Sequence, residues 1–241
     1  RYDWNPSAHG SGIALMSNGT TIRGNIIYDY GNTRAIRAYP GYMGDDGYHD
    51  LLIENNLVFE TGTSQLIYNW VELTDLGKRC AIRNNTFVKS CSICLAVNAD
   101  GSGLTLYNNL FAGGATIDNY YGVPNTQTSE QARVKWDAIS EGKNFYKRLY
   151  ATGNNYLCVY TRFSETSNSV VDADTGYWAV GAMFESTTGE YPYQLSENSP
   201  AIDSADPANA PRLDLLGRTR DAAPDAGCYE RTEFTGNRSP V

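Results

Sequence analysis

"IRNNTF", residues 82–87, has close relatives along the chain: "IRGNII" at 22–27, "IENNLV" at 53–58, "LYNNLF" at 106–111 and a weaker "TGNNYL" at 152–157. Each joins an apolar residue, a variable one, a Gly or Asn, an Asn, and then apolar residues again. The second Asn marks the register: Asn25, Asn56, Asn85, Asn109 and Asn155 stand 31, 29, 24 and 46 residues apart, the last interval read as two short repeats. A period of roughly 20–30 residues is the mark of a solenoid. As a turn dipeptide "NN" accounts for one copy, but not for five in register.

Around each marker the apolar runs are short and strand-like rather than helical. One period reads "AIRAY" (35–39), a loop, "DLLIE" (50–54), the Asn pair and "LVFE" (57–60). The next reads "LIYNW" (66–70), a loop, "CAIR" (80–83), the pair and "TFVK" (86–89). Three short strands per turn describe an all-β fold, a single-stranded right-handed parallel β-helix. The marker Asn then has a physical job: it tolerates the left-handed conformation that an inward corner needs. Coils stack roughly 4.8 Å apart, so equivalent Asn side chains form a hydrogen-bonded ladder that satisfies buried polar groups. Ile22, Ile53, Ile82 and Leu106 are expected to point inward and stack, as are Ile27, Val58, Phe87 and Phe111.

Composition agrees with a β-rich, turn-rich chain. Of 241 residues only 19% are charged, while Gly (23) and Tyr (18) are abundant. Aromatic residues favour strands and Gly favours turns. A net charge of −8 argues against a duplex nucleic-acid partner, which calls for a basic footprint. No apolar run approaches the roughly 18 residues of a membrane span. The chain opens at "RYDWNPS" without Met, so a processed product or fragment with missing upstream coils is expected. End-to-end self-association through an uncapped first coil, "HGSGIALM" (9–16), is the other reading of that edge. Five cysteines, at 80, 91, 94, 158 and 228, are too few and uneven for a disulfide framework. "CSIC" (91–94) reads as a local disulfide or as two strand cysteines.

The rhythm lapses over 119–150, which reads as a long insertion within coils spanning 1–160. "SEQARVKWDAIS" (129–140) carries a short helix with Ser129 as its N-cap. Residues 161–241 form a last coil and a terminal segment. There "VVDADTGYWAV" (170–180), "YQLSENSPAIDSADP" (193–207) and "PRLDLLGRTRDAAPDAGCYE" (211–230) resemble the terminal segment of secreted bacterial right-handed β-helix proteins of the pectate-lyase-like superfamily. That pattern runs Y-x-L-x-x-x-S-P-A-I-D-x-G-D-P, then D-x-x-G-x-x-R and D-x-G-A-Y-E. Ala205 stands here for the usual Gly and Cys228 for the common Ala. The resemblance implies secretion and a cap over the exposed strand edges of the last coil.

It also implies a groove outside the first strand of each coil, where related polysaccharide lyases and glycoside hydrolases work. The outward positions expected there are Arg37, Asn69 (or Tyr68), Asn98 and Asp118. Adjoining loops add Tyr39, Tyr42, Asp45, Asp46, His49, Glu72, Asp75, Lys78, Arg79 and Asp100, and the insertion adds Tyr120, Tyr121 and Trp136. Aromatic faces beside polar groups suit a polysaccharide or a cell-surface glycan. A lyase needs a base, for which Arg37, Lys78 and Arg79 are candidates, and a group that neutralises a uronate carboxylate. "GDDGYHD" (44–50), through Asp45 and Asp46, offers oxygen ligands to Ca²⁺ for that purpose. A hydrolase needs paired carboxylates, with Asp46, Glu72, Asp75 and Asp118 as the pool. The R-H-G stretch of the alginate and chondroitin lyases is absent, "AHGSG" (8–12) being a loose echo. The alternative to an enzyme is a non-catalytic adhesin, glycan-binding stalk or filament subunit.

Overall fold

The computed structural model describes residues 11–28, 34–38, 43–44, 46–60, 71–96, 99–118, 129–151, 168–171, 178 and 180–231. The first coil holds β1 (Ser11–Leu15), β2 (Thr21–Arg23) and β3 (Ile26–Tyr28), and the second β4 (Arg34–Ala38), β5 (Leu52–Glu54) and β6 (Leu57–Phe59). The third holds β7 (Val71–Leu76), β8 (Cys80–Arg83) and β9 (Thr86–Phe87), and the fourth β10 (Cys91–Leu95), β11 (Leu104–Tyr107) and β12 (Leu110–Phe111). Then come β13 (Ala115–Asp118), the helix α1 (Ser129–Asp137), β14 (Ser140–Gly142), β15 (Phe145–Tyr146), β16 (Leu149–Ala151) and β17 (Val170–Val171).

These strands form three sheets in which each strand pairs with its counterpart one coil away, in the orders β1-β4-β7-β10-β13-β16, β2-β5-β8-β11-β14 and β3-β6-β9-β12-β15-β17. Every pairing is parallel. The chain is a parallel β-helix. Because side chains alternate across each strand, one row per sheet faces the interior. In the second sheet the inward row is Ile22, Ile53, Ile82 and Leu106, and in the third it is Ile27, Val58, Phe87, Phe111, Tyr146 and Val171. Phe111 lies between Phe87, at 5.5 Å, and Tyr146, at 4.8 Å and parallel to it.

The two members of each Asn pair divide the work of the corner. The first carries the left-handed backbone: φ is 52° at Asn55, 50° at Asn84 and 61° at Asn108, with Gly24 and Lys143 in the same place on the flanking coils. The second builds the ladder. Asn85 Oδ1 accepts from the amide (3.0 Å) and Nδ2 (2.9 Å) of Asn56, and Asn109 Oδ1 accepts from the same two groups of Asn85. Asn25 starts the series on Asn56. The rung after Asn109 is Asn144, whose Oδ1 takes the Asn109 amide at 2.8 Å and Nδ2 at 2.9 Å. Asn155 lies outside the described residues. So the left-handed residue at each corner is the one before the ladder Asn, not the ladder Asn itself.

The insertion is shorter than 119–150. α1 occupies its expected place, but the coil resumes at Ser140 with β14, β15 and β16. In the third coil the first strand runs Val71–Leu76, whereas the expected "LIYNW" lies outside the described residues. A register shift against β10, with φ 63° at Asp75, makes β7 a bulged strand. Cys91 and Cys94 are free thiols in β10. Cys91 faces the interior cluster with Ile93 and Leu95, whereas Cys94 does not, so the two point to opposite faces and cannot be bridged. Cys158 lies outside the described residues.

The terminal segment, 180–231, covers a flank. Met183, Phe184, Tyr193, Leu195, Ala201, Ala226, Cys228 and Tyr229 pack on Leu57, Phe59, Leu110 and Phe145, the outward residues of the third sheet. Each large side chain buried this way stabilises by about 1.5–3 kcal/mol. Its polar contacts fall on the left-handed corners. Asn55 Nδ2 donates to the Leu213 carbonyl, Asn84 Nδ2 to those of Asp225 and Gly227, and Asn108 Nδ2 to that of Asp206. The Asp206 amide donates back to Asn108 Oδ1 at 2.8 Å. Gly227 has to be glycine: its φ is 92°, and a Cβ would stand 2.7 Å from Leu110 Cδ1. The covering thus runs along the side of the coils, where an end cap over the last one was expected.

Candidate functional site

On the first sheet the register aligns Ala14, Arg37, Glu72, Ser92, Thr116 and Tyr150. The inward positions belong to Ile36, Val71, Leu73, Ile93 and Ile117, all buried in the core, so this row faces out. Glu72 was expected in a substrate-binding loop. It sits instead on β7, 5% exposed, with Arg37 Nε 3.1 Å from its Oε2 and Arg34 Nε in contact with the same oxygen. Two guanidiniums on one carboxylate offset the cost of burying it. Ser92 and Cys94 on the same outer face are also buried. Asp118 ends β13, its backbone paired with Cys94.

A second group gathers at the corner between the first and second sheets. His49 Nδ1 accepts the Lys78 amide at 3.0 Å, and the His49 amide donates to Asn18 Oδ1 at 2.8 Å. His49 therefore ties three coils together through its backbone and ring. Arg79 grips Asp50 with two parallel bonds, Nε to Oδ1 at 2.5 Å and Nη2 to Oδ2 at 2.8 Å. That hydrogen-bonded pairing raises the Arg79 guanidinium above its ordinary range and lowers the Asp50 carboxyl. A general base needs the opposite shift. Both residues sit at left-handed backbone positions, φ 56° and 60°, which marks them as corner residues. The Lys78 side chain is exposed beside them.

The remaining candidates scatter. Trp136, expected in the groove, is buried in the core. Asp75 belongs to β7 rather than to a loop, is buried, and its carbonyl accepts the Tyr48 amide at 2.7 Å. Asp46 is exposed in the 44–50 loop, and among the described residues no three Asp, Glu, His or Cys come together around a metal-sized space. That loop is seated by Gly47, whose missing Cβ leaves room for the Asp75 carbonyl. Tyr39, Tyr42, Asp45, Asn69, Asn98, Tyr120 and Tyr121 lie outside the described residues, as does the side chain of Asp118.

Three features escaped the sequence. Glu141 continues the Ile22–Leu106 row inside the helix, where its Oε1 accepts from Asn144 Nδ2 (2.7 Å), Tyr146 Oη (3.2 Å) and Ser169 Oγ. It ends the ladder, and no repeat pattern signalled a carboxylate there. Lys135 on α1 has its ammonium pushed below the ordinary lysine range by burial, with Asp100 opposing the shift. A cavity of about 470 Å³ opens in the terminal segment, in a stretch too irregular to carry periodicity. No helix among the described residues is long and apolar enough to cross a membrane. No protein-family profile and no curated protein sequence matches this chain.

Proposed function

We propose that this chain is an extracellular, carbohydrate-associated β-helix module that binds without catalysis, akin to the secreted bacterial β-helix proteins whose terminal motif it resembles. The carrying observation is Glu72, held between Arg34 and Arg37 on the face where related enzymes react. A lyase base there has to take up a proton, and a hydrolase needs two carboxylates facing across a gap. Glu72 is committed to charge balance, and Arg79 is committed to Asp50. A composition low in charge and rich in Tyr supports a glycan partner.

One observation favours the catalytic alternative, a polysaccharide lyase: burial lowers the Lys135 ammonium from its ordinary range, the direction in which a lysine base is tuned. Incubation with a panel of uronate and neutral polysaccharides separates the two. The expected result is retention on at least one polysaccharide with no rise in absorbance from unsaturated product and no new reducing ends. Turnover abolished by Lys135→Ala would replace the binding reading with the catalytic one.

A further inference from the structure

The 470 Å³ cavity is enclosed by two stretches of the terminal segment, 185–195 and 218–231, with Glu185, Glu190, Tyr191, Gln194 and Arg231 on its wall and Tyr229 behind them. A space of this size holds one or two pyranose rings. Tyr229 is the informative residue. Its ring belongs to the apolar cluster that seats the segment, it is 2% exposed, and its hydroxyl has no hydrogen-bond partner among the described residues. Buried phenols ordinarily have one. The neighbouring groups that act on that hydroxyl are Cys228, Arg218, Asp214 and Tyr191, and of these Arg218 and Tyr191 border the cavity. Tyr229 itself lines this space, between the apolar cluster and the polar wall.

The charges on the wall select the ligand class. Arg218 is held by Asp214 at 2.6 Å and Glu230 by Arg220 at 2.9 Å. That leaves Glu185 and Glu190 of one sign and Arg231 of the other, with the Arg231 Nη1 also donating to the Leu195 carbonyl. An anion meets the two carboxylates, and a cation meets the guanidinium. A neutral polyol satisfies both, because each hydroxyl donates to a carboxylate and accepts from Arg231, Gln194 or Tyr229. Tyr191 hydrogen-bonds Glu190, and the residue is 42% exposed, leaving an aromatic face for the C–H side of a sugar ring. We propose that this cavity is a binding site for a neutral saccharide unit. The proposal rests on the carbohydrate reading above and gives it a location away from the first sheet.

The test titrates the full chain with cellobiose, maltose and lactose, and with galacturonate and glucosamine as charged probes, followed by calorimetry and amide chemical shifts. Binding of at least one neutral disaccharide is expected, with a dissociation constant near roughly 1 mM. Tyr191→Ala, an exposed change, should weaken it at least about tenfold, which is about 1.4 kcal/mol. Tyr229→Phe keeps the ring and should weaken binding several-fold while leaving the unfolding midpoint unchanged. Binding unaltered in both variants, preference for a charged probe, or no binding of any disaccharide overturns the site. If the chain, and equally Tyr191→Ala, is still retained on a polysaccharide, the site falls but the glycan reading stands. Loss of both disaccharide and polysaccharide binding removes the two together.

Discussion

Arg220 Nη2 donates to Asn55 Oδ1 at 3.1 Å across 165 residues of chain. The same guanidinium donates to the carbonyls of Asp225 and Gly227 and to Glu230 Oε2 at 2.9 Å. One corner of the second coil and the fold of the terminal segment therefore close on a single buried cation. Arg220→Met removes a charge from a buried pair and strands Glu230, which costs about 3–5 kcal/mol. Lysine should rescue little, since it cannot present the planar fork. Urea unfolding of the two variants checks this, and a loss below 1 kcal/mol would mean that the network is dispensable.

The left-handed corners give a second expectation, because they separate backbone need from side-chain need. Asn84 combines φ 50° with bonds to the Asp225 and Gly227 carbonyls. Asn84→Gly keeps the backbone and loses the bonds, whereas Asn84→Ala loses both, and the alanine variant should be less stable by about 1–2 kcal/mol. Lys143 holds φ 57° with no bond to the terminal segment among those described. Lys143→Gly should be neutral or stabilising by up to about 1 kcal/mol. A destabilised Lys143→Gly would show that the lysine side chain supports the corner.

Why Asn is doubled was only half legible in the sequence. The ladder could be read because Asn25, Asn56, Asn85 and Asn109 recur at one offset within apolar runs. Asn144 was missed because "GKN" replaces the pair and α1 displaces its coil. The work of Asn55, Asn84 and Asn108 could not be read locally, since their partners stand 98 to 165 residues downstream. Arg37 lies on the outer face of β4, as expected for the groove side of a first strand. But alternation says nothing of which charge lies one coil away, and the Glu72 pairing follows from a strand beginning at Val71.

Glu141 is a charged residue at a position where Leu would continue the aliphatic row. Replacing it with Gln keeps an acceptor for Asn144 Nδ2 and Ser169 Oγ, while Leu removes the oxygen that accepts from Asn144 Nδ2, Ser169 Oγ and Tyr146 Oη. Glu141→Leu should therefore be less stable than Glu141→Gln by about 1–3 kcal/mol. Thermal unfolding of the pair tests this, and equal midpoints would show that the end of the ladder re-forms without a carboxylate.

Asp225 predicts a pH dependence of unusual sign for a carboxylate. It is 1% exposed, and burial pushes its pKa up to about 6 against the donated amides of Asp203 and Arg231; Glu230 raises it further and Arg220 opposes. The folded state thus holds this proton to higher pH than the unfolded chain. Its contribution is fully present below the unfolded value near 3.8 and is lost as pH rises through about 6. A shift of this size corresponds to roughly 3 kcal/mol. The exposed carboxylates Asp50, Asp100 and Glu130 are shifted down, so their stabilisation is lost only as pH falls below the ordinary carboxylate range. The two effects occupy separate windows. The carboxyl ¹³C resonance of Asp225 should titrate with a midpoint near 6, and stability measured by urea should fall from pH 4.5 to 7 in the native chain more than in Asp225→Ser. A midpoint below 4 would mean that the donated amides of Asp203 and Arg231 outweigh burial at Asp225, and the terminal segment would then keep its stability from pH 4.5 to 7.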